Sequence, residues 1–278
     1  MLLTVDVGNT NTVLGVFRDA SLLAHWRLTT ARGQTVDEYG ILTRNLFTLA
    51  GLEPKQINGI IVSSVVPPLN ATLAEMAERY FELKALFVEP GVKTGMPVLY
   101  ENPQEVGADR VVNGVAAFEK YGGPCIVVDF GTAITFDAIS PKGEYMGGVI
   151  VPGIGIASEA LFARAARLPR VEIKDPGKII GTNTVGSIQA GLYYGYVDLV
   201  DGLLQRMKQA LGPETKVVAT GGQAALVARG SQWIEHVDEF LTLEGLRIIW
   251  DRNHAPRPAA AGKPPAAPAP KSTPRRRS

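Results

Sequence analysis

The chain has 278 residues, of which 46% are hydrophobic and 20% charged, and it contains 30 glycines, 19 prolines and one cysteine. This length suits one large domain or two small ones with a substantial core. A single cysteine excludes an intrachain disulfide and any zinc or iron–sulfur site built from cysteines, and the three widely separated histidines argue against a histidine-based metal site.

The formal net charge of +1 is unevenly distributed along the chain. Seven of the 28 basic residues and none of the 27 acidic ones follow Asp251, so the preceding body carries 21 basic and 27 acidic residues, a net charge of −6. The segment 253–278 is rich in proline and alanine, and we expect it to be a disordered tail. The acidic body argues against nucleic acid as the primary partner.

The sequence does not suggest a membrane protein. The N-terminal segment MLLTVDVGNTNTVLGVF lacks the basic leading residues of a signal peptide. There is also no run of about 18 apolar residues, the length that a membrane-spanning helix needs. We therefore expect a cytoplasmic protein with no membrane partner.

Strands and helices are predicted to alternate along the chain, which indicates an α/β fold. In the first half, strands are predicted at 2–5, 13–17, 60–62 and 86–88, and helices at 37–50, from Pro67 to about Tyr80 and at 109–120. The second half follows Gly122-Gly123-Pro124, with strands predicted at 125–128, 136–139, 145–151 and 217–219, a helix after Pro152-Gly153 and a long helix at about 185–210.

Two turns share one sequence pattern. DVGNTNT begins at Asp6 after the first strand, DFGTAIT begins at Asp129 after the strand at 125–128, and both fit D-x-G-x-x-x-T. The copies lie 123 residues apart, about one domain length, so the chain is predicted to contain two similar halves, 1–121 and 122–252.

Such a turn is suited to binding a nucleotide. Glycine permits close backbone approach, successive backbone N–H groups can bind a phosphate, and an aspartate at the strand end suits a cation beside it. A plain hairpin explains one copy as well, but two copies favour phosphate binding.

A third turn, Thr220-Gly221-Gly222-Gln223, suits a sugar or base. There is no G-x-x-x-x-G-K-[ST] loop, and Asp129-Phe130-Gly131 lacks the other protein-kinase motifs.

Four motifs, in their order and spacing, resemble type III pantothenate kinases: DVGNTNT (6–12), GADR (107–110), DFGTAIT (129–135) and GTNT (181–184). The resemblance covers about residues 1–252 and leaves the tail outside. It implies a duplicated ribonuclease-H-like fold of the actin, sugar-kinase and chaperone ATPase superfamily, with ATP in the cleft between the halves. It also implies a homodimer that phosphorylates pantothenate to 4′-phosphopantothenate, the first step of coenzyme A synthesis.

The resemblance further implies roles for individual residues. ATP is bound by the first turn and by one threonine of the second, that is by Asp6, Val7, Gly8, Asn9, Thr10, Asn11, Thr12, Val13 and Thr132. Asp6 also faces the Mg²⁺ of Mg-ATP, and Asp129 binds the K⁺ or NH₄⁺ ion that the family requires. Pantothenate is bound by Tyr100, Gly107, Ala108, Asp109, Arg110 and Thr184. Of these, Asp109 is the general base, Arg110 holds the pantothenate carboxylate, and Thr184 reaches the partner's site in the family's dimers.

The residues alone leave simpler alternatives open for these roles. Asp109 and Thr184 each stand where the N-cap of a helix is expected. Arg110 is also able to form an exposed ion pair of little energetic weight, and Tyr100 is equally acceptable as an amphipathic surface residue.

Three other functions also compete with the kinase. They are a non-catalytic accessory relative that affects gene expression, a chaperone- or actin-like ATPase, and a weak nucleic-acid contact through the basic tail. Loss of Asp6, Asp109 or Asp129 would favour the accessory relative, and all three are present. Chaperone- and actin-like ATPases are longer and lack GADR and GTNT, so the sequence favours the kinase.

Overall fold

The computed structural model describes residues 1–254. The predicted tail lies outside the described residues except for Asn253 and His254, which continue the last helix. Among residues 1–254, none of the helices combines the length and the hydropathy that crossing a bilayer requires.

Two five-stranded mixed sheets organise the fold, one in each half of the chain. The N-terminal sheet has the strand order β3-β2-β1-β4-β5 and contains β1 (Leu2–Val7), β2 (Asn11–Arg18), β3 (Ser21–Thr29), β4 (Gly59–Ser64) and β5 (Leu86–Phe87). The C-terminal sheet has the order β10-β9-β6-β7-β8 and contains β6 (Cys125–Phe130), β7 (Ala133–Ile139), β8 (Tyr145–Pro152), β9 (Lys216–Gly221) and β10 (His236–Val237).

The two sheets repeat one topology. In each, three strands form an antiparallel meander, and two further strands extend the sheet in parallel from the first strand of that meander. Thus β1 corresponds to β6 and β4 to β9. The predicted strands are therefore confirmed, whereas β3 and the two-residue β10 were not anticipated. The side chains of β3 are exposed or only partly buried along its whole length, so it lacks the apolar run of a core strand.

Seven α-helices cover the sheets in the described part of the chain. They are α1 (Val36–Leu49), α2 (Asn70–Phe81), α3 (Ala108–Tyr121), α4 (Ile154–Arg164), α5 (Thr184–Leu211), α6 (Ala224–Ala228) and α7 (Leu241–His254). Thr35 and Glu38 cap α1 reciprocally, which explains where that helix begins. The helix predicted from Pro67 starts later, because Pro67–Leu69 form a 3₁₀ turn and α2 begins at Asn70.

Helices α3 and α7 lie between the sheets. Helix α3 contacts β4 of one sheet and β6 and β7 of the other, and α7 contacts β1, β2 and β4. A Cβ at Gly245 of α7 would collide with the backbone carbonyl of Val112 in α3, so the glycine allows the two helices to approach closely. Helix α7 therefore belongs to the second half by sequence but packs on the N-terminal sheet, and the pair holds the two halves against each other.

Candidate active site

The two repeated turns face each other between the sheets. Gly8 closes the first turn by donating its backbone N–H to Asn11 O over 2.9 Å, and Gly131 closes the second by donating to Ala133 O over 3.0 Å. The hydroxyls of Thr10 and Thr132 lie 2.7 Å apart and share a hydrogen bond. Two residues predicted to bind ATP from opposite halves are thus brought together.

The two hairpins differ by one residue in length. Asp6 pairs with Val13 across the first hairpin, seven residues on, whereas Asp129 pairs with Thr135, six residues on. The last threonine of the repeated pattern therefore occupies different places in the two halves. Thr12 is buried and its hydroxyl meets that of Thr30 at 2.9 Å, while Thr135 donates to Asp137.

The first turn presents only part of its predicted ATP-binding stretch to solvent. The side chains of Val7 and Thr12 are buried, so these residues offer a ligand their backbone alone. Asn9 and Thr10 are exposed, and Gly8 and Asn11 are partly exposed. Arg32 donates to Oδ1 of Asn9 at 3.3 Å and orients that amide.

Three carboxyl groups converge on the cleft below these turns. Burial, followed by the charges of Asp109 and Asp129, raises the pKa of Asp6 to about 8. Burial and the charges of Asp109 and Asp137 raise the pKa of Asp129 to about 7. Burial also raises the pKa of Asp109, although Oδ1 of that residue accepts the backbone N–H of Arg110 at 2.8 Å. Asp6 and Asp129 occupy corresponding positions near the ends of β1 and β6, and Asp109 lies in the first turn of α3, which contacts strands of both sheets.

Both α3 and α7 position the carboxylate of Asp129. Asn113 of α3 donates its amide N–H to Oδ2 of Asp129 at 3.1 Å, and Thr242 of α7 donates to the amide oxygen of Asn113 at 2.7 Å. The third turn approaches from the other side. Gly221 has a φ of +90°, and a Cβ there would lie 2.6 Å from Oδ1 of Asp129.

The GADR segment forms the start of α3. Gly107 is the N-cap and Asp109 lies in the first turn, so Asp109 is not the cap residue that its position in the sequence suggested. A Cβ at Gly107 would lie 2.5 Å from Oδ1 of Asp109, which explains the glycine. Asp109 is therefore only partly exposed, with its carboxyl in the cleft.

Arg110 is buried and paired, not exposed. Its Nε and Nη2 both lie 2.7 Å from Oδ1 of Asp137 on β7, and only 8% of the residue is accessible to solvent. The exposed ion pair considered from the sequence is therefore wrong. Tyr145 is nearby, with its ring centroid 5.7 Å from Cζ of Arg110 and 6.4 Å from the ring centroid of Tyr100. The ring of Tyr145 thus lies between Tyr100 and Arg110, and Asp109 is the residue before Arg110 in α3.

Thr184 lies apart from this group. It is the first residue of α5 and exposed, and the cap of that helix is Asn183, whose Oδ1 accepts the N–H of Gly186 at 2.8 Å. The simple capping role considered for Thr184 is therefore wrong. Thr184 lines an open cavity of about 670 Å³ together with Leu161 and Ile188, and no residue around the three carboxylates lines that cavity.

Several residues of the cleft were missed by the sequence analysis. Asn113 lies one helical turn after Asp109, a spacing that places both on one side of α3 and that the sequence offered as a signal. Asp137 gave no such signal. Arg27 is an exposed residue of β3 whose Nη1 lies 3.9 Å from where a Cβ of Gly222 would be. Its positive charge lowers the pKa of both Asp6 and Asp129, although burial and like charge outweigh it.

The cleft suits cations held jointly by protein and ligand. Within residues 1–254, no three or more carboxylate, histidine or cysteine side chains are grouped to hold a metal ion by themselves. Mg²⁺ is usually bound through one or two carboxylates plus substrate phosphates. Asp6 and Asp129 offer oxygen ligands of this kind, and a cation beside them would offset the burial and the like charge that raise their pKa values.

Comparison with known proteins gives consistent results. A family model described as type III pantothenate kinase matches residues 2–206. The chain is 63% identical over 265 residues to a type III pantothenate kinase from Koribacter versatilis, covering 92% of this chain and 97% of that protein. It is 62% identical over 255 residues to a protein of the same name from Myxococcus xanthus, covering 92% of this chain and all of the relative.

A solved structure supports the fold. The structure of component A of (R)-2-hydroxyglutaryl-CoA dehydratase from Acidaminococcus fermentans aligns with a TM-score of 0.52 at 12% identity, covering 88% of this chain and 94% of that one. At this identity the likeness concerns the fold alone. Together with the repeated sheet topology, it confirms the predicted duplicated ribonuclease-H-like fold.

Proposed function

Because the chain belongs to the type III pantothenate kinase family, whose activity is the ATP-dependent phosphorylation of pantothenate in coenzyme A synthesis, we propose that this reaction takes place in the cleft between the two sheets. In this proposal the phosphate turns bind ATP, Asp109 is the general base, and Tyr100 and Arg110 bind pantothenate.

The observation that carries the proposal is the convergence of Asp6, Asp109 and Asp129 beneath two turns joined through Thr10 and Thr132. Phosphoryl transfer depends on positioning and charge neutralisation more than on covalent chemistry. Two backbone turns for the phosphates, carboxylates for cations and one further carboxylate for a proton meet those needs in one place.

We assign the polyphosphate chain of ATP to the two turns. Gly8 and Gly131 leave the backbone accessible, and the exposed Thr10 and Thr132 offer two adjacent hydroxyls, one from each turn. Asp6 faces the Mg²⁺ that accompanies ATP, and when bound that ion neutralises charge on the phosphates. Arg27 adds a positive charge from β3 beside the same carboxylates.

Asp109 is suited to take the proton of the hydroxyl that is phosphorylated. Its Oδ1 is occupied by the N–H of Arg110, which leaves Oδ2 to accept a further hydrogen bond. Burial raises the pKa of Asp109, and a base whose pKa lies closer to the operating pH accepts a proton more readily. General-base catalysis of this kind contributes about 10²–10⁴-fold to a rate.

We also propose a monovalent cation at Asp129. Asp129 is partly buried, the charges of Asp109 and Asp137 act on it, and within residues 1–254 its one hydrogen-bond donor is the neutral amide of Asn113. K⁺ or NH₄⁺ in this position would supply the missing positive charge. A cation here stabilises the arrangement without contacting pantothenate.

A homodimer is the proposed assembly. Several large apolar side chains on α4, before α5 and at its start are exposed, and an apolar surface of this kind is typical of an interface. They are Ile156, Leu161, Phe162, Ile179, Ile180 and Val185, of which Leu161 lines the same cavity as Thr184. A second copy on this surface would account for the distance between Thr184 and the rest of the proposed pantothenate site.

The proposal is tested by direct assay of the purified full-length chain. We expect ATP consumption and 4′-phosphopantothenate formation only when pantothenate, Mg²⁺ and either K⁺ or NH₄⁺ are all present. Replacement of the monovalent salt by tetramethylammonium chloride at equal ionic strength tests the cation, and sedimentation tests the dimer. Absence of phosphorylated product under the complete conditions would refute the proposed site and function.

A further inference from the structure

One buried carboxylate near the cleft has no part in the proposed reaction. Asp137 lies on β7 with 0% of its surface exposed, and it is surrounded by donors. Its Oδ1 accepts from Nε of Arg110 at 2.7 Å and from the hydroxyl of Tyr145 at 2.8 Å, and Nη2 of Arg110 is also 2.7 Å away. Thr135 donates to Oδ2 at 3.0 Å.

This is the most deeply buried of the ion pairs in residues 1–254. The side chains of Arg110 and Asp137 are 10% and 0% exposed, whereas every other ion pair in this range has at least one side chain that is 31% exposed or more. Burying two charges is costly, and the geometry must be good for the pair to be tolerated. Burial raises the pKa of Asp137, and the charge of Arg110 with the three donors opposes that rise.

The pair also restricts where the guanidinium of Arg110 can point. Nε and Nη2 are both directed at Asp137, and Nη1 has no hydrogen-bond partner among the described residues. Gly148, which is paired with Asp137 across the sheet, makes room for this arrangement. Asp109 precedes Arg110 in α3, its Oδ1 accepts the backbone N–H of Arg110 at 2.8 Å, and the charge of Arg110 lowers its pKa against the larger effect of burial, so Asp109 offers Arg110 an alternative carboxylate if Asp137 is removed.

We propose that Asp137 is a positioning residue for substrate selectivity: it fixes Arg110 so that the free edge of the guanidinium meets the carboxylate of pantothenate, and it keeps Arg110 from pairing with Asp109. The inference rests on the proposed function, in which Arg110 binds that carboxylate. Asp137 itself contacts neither substrate. Its effect is therefore specific to substrates that carry the carboxylate.

The test compares pantothenate with pantothenol, in which a hydroxymethyl group replaces the carboxylate. For Asp137→Asn we expect KM for pantothenate to rise about tenfold or more, with KM for ATP changed less than about twofold. The kcat/KM ratio of pantothenate to pantothenol should fall by a similar factor, equivalent to about 1.4 kcal/mol per tenfold change. If Asp137 had a merely structural role, its substitution would lower kcat/KM for pantothenate and for pantothenol equally and leave their ratio unchanged.

A matched control is Asp238→Asn. Asp238 is another nearly buried carboxylate, paired with Lys120 at 2.5 Å and with the hydroxyl of Tyr121 at 3.1 Å. Its substitution should lower the melting temperature as much as Asp137→Asn does, and leave the substrate ratio as in the wild type. A fall of the ratio in this control would overturn the inference.

Two further variants keep the test decisive if Asp137→Asn does not fold. Asp137→Glu retains the charge but displaces the carboxylate, and we expect a partial loss of the substrate ratio. The double variant Arg110→Gln with Asp137→Asn leaves no unpaired charge. Its kcat/KM ratio of pantothenate to pantothenol should equal that of Arg110→Gln alone, because Asp137 acts through Arg110. An unchanged ratio in Asp137→Glu, or a further loss in the double variant, overturns the inference.

The two proposals fail separately. If the wild-type protein forms no phosphorylated pantothenate, the proposed function is wrong. If the wild type is active and prefers pantothenate, and Asp137→Asn retains that preference while folded, only the role of Asp137 is wrong.

Discussion

Replacement of Asp6 by asparagine should stabilise the cation-free protein at alkaline pH and abolish phosphoryl transfer. Asp6 lies at the end of β1 with Asp109 and Asp129 as charged neighbours, and its pKa is raised from 3.8 to about 8. Because the folded-state pKa lies above the unfolded value, the folded state binds the proton more tightly. The stability of the wild type therefore falls as pH rises from about 4 to about 8.

The size of this effect follows from the pKa difference. About four pKa units at 1.36 kcal/mol each correspond to roughly 6 kcal/mol in the free energy of unfolding. This is an upper limit, since Asp6 is partly exposed to water in the cleft, which screens the charges. We expect about 2–4 kcal/mol, or about 5–15 °C in melting temperature for a chain of this size.

The assay is thermal unfolding of protein freed of Mg²⁺ and K⁺, at pH 5 and pH 9. The quantity compared is the difference in melting temperature between Asp6→Asn and the wild type. This difference should be about 5–15 °C larger at pH 9 than at pH 5. Asp198→Asn, at an exposed position of α5, is the control and should follow the wild type. Mg-ATP should raise the melting temperature of the wild type but not of Asp6→Asn. Parallel melting curves for wild type and Asp6→Asn at both pH values would refute the reasoning.

Three other changes test the cleft and the end of the chain. Asp109→Asn should reduce kcat by at least about 10²-fold with an unchanged circular dichroism spectrum, and near-normal turnover would exclude the general-base role. Thr10→Val removes the hydrogen bond to Thr132. It should raise KM for ATP about tenfold and lower the free energy of unfolding by about 1 kcal/mol or less. Thr48→Val on α1 is the control. Equal KM values for ATP in both variants would contradict the role of Thr10. Removal of residues 255–278 should leave kcat/KM within about twofold of the full-length value, because α7 remains whole and Asn253 keeps its hydrogen bonds to the backbone of Lys93. A tenfold loss of kcat/KM would show that the removed segment contributes to catalysis.

Local features of the chain could be predicted because they depend on neighbouring residues. Apolar runs at 2–5 and 125–128 predicted β1 and β6, and the aspartates that follow lie at the cleft as expected for strand ends. The boundaries of α3 and α5 were predicted to within one residue of those in the structure. Strand β3 was missed because it has no buried apolar run, although the alternation of apolar and polar residues from Ala24 to Thr29 is the period-2 signal of a half-exposed strand.

Contacts between distant residues could not be predicted in the same way. Arg110 and Asp137 are 27 residues apart and meet because α3 packs on β7. Arg27 and Gly222 belong to different halves and approach only when the sheets face each other. The different roles of Thr12 and Thr135 likewise follow from hairpin register, which the shared pattern concealed.

The sequence by itself determined the two-fold repeat, the alternation of strands and helices, and the aspartates Asp6 and Asp129 at the repeated turns, because apolar periodicity and turn chemistry act over a few residues. Asp109 was singled out through the family resemblance. Only the tertiary structure decided that those aspartates share one cleft, that Arg110 is bound to Asp137, and that Thr184 faces a separate cavity. The physical reason is that burial and Coulomb interaction depend on distances in space. The packing of α3 and α7 between the sheets sets those distances.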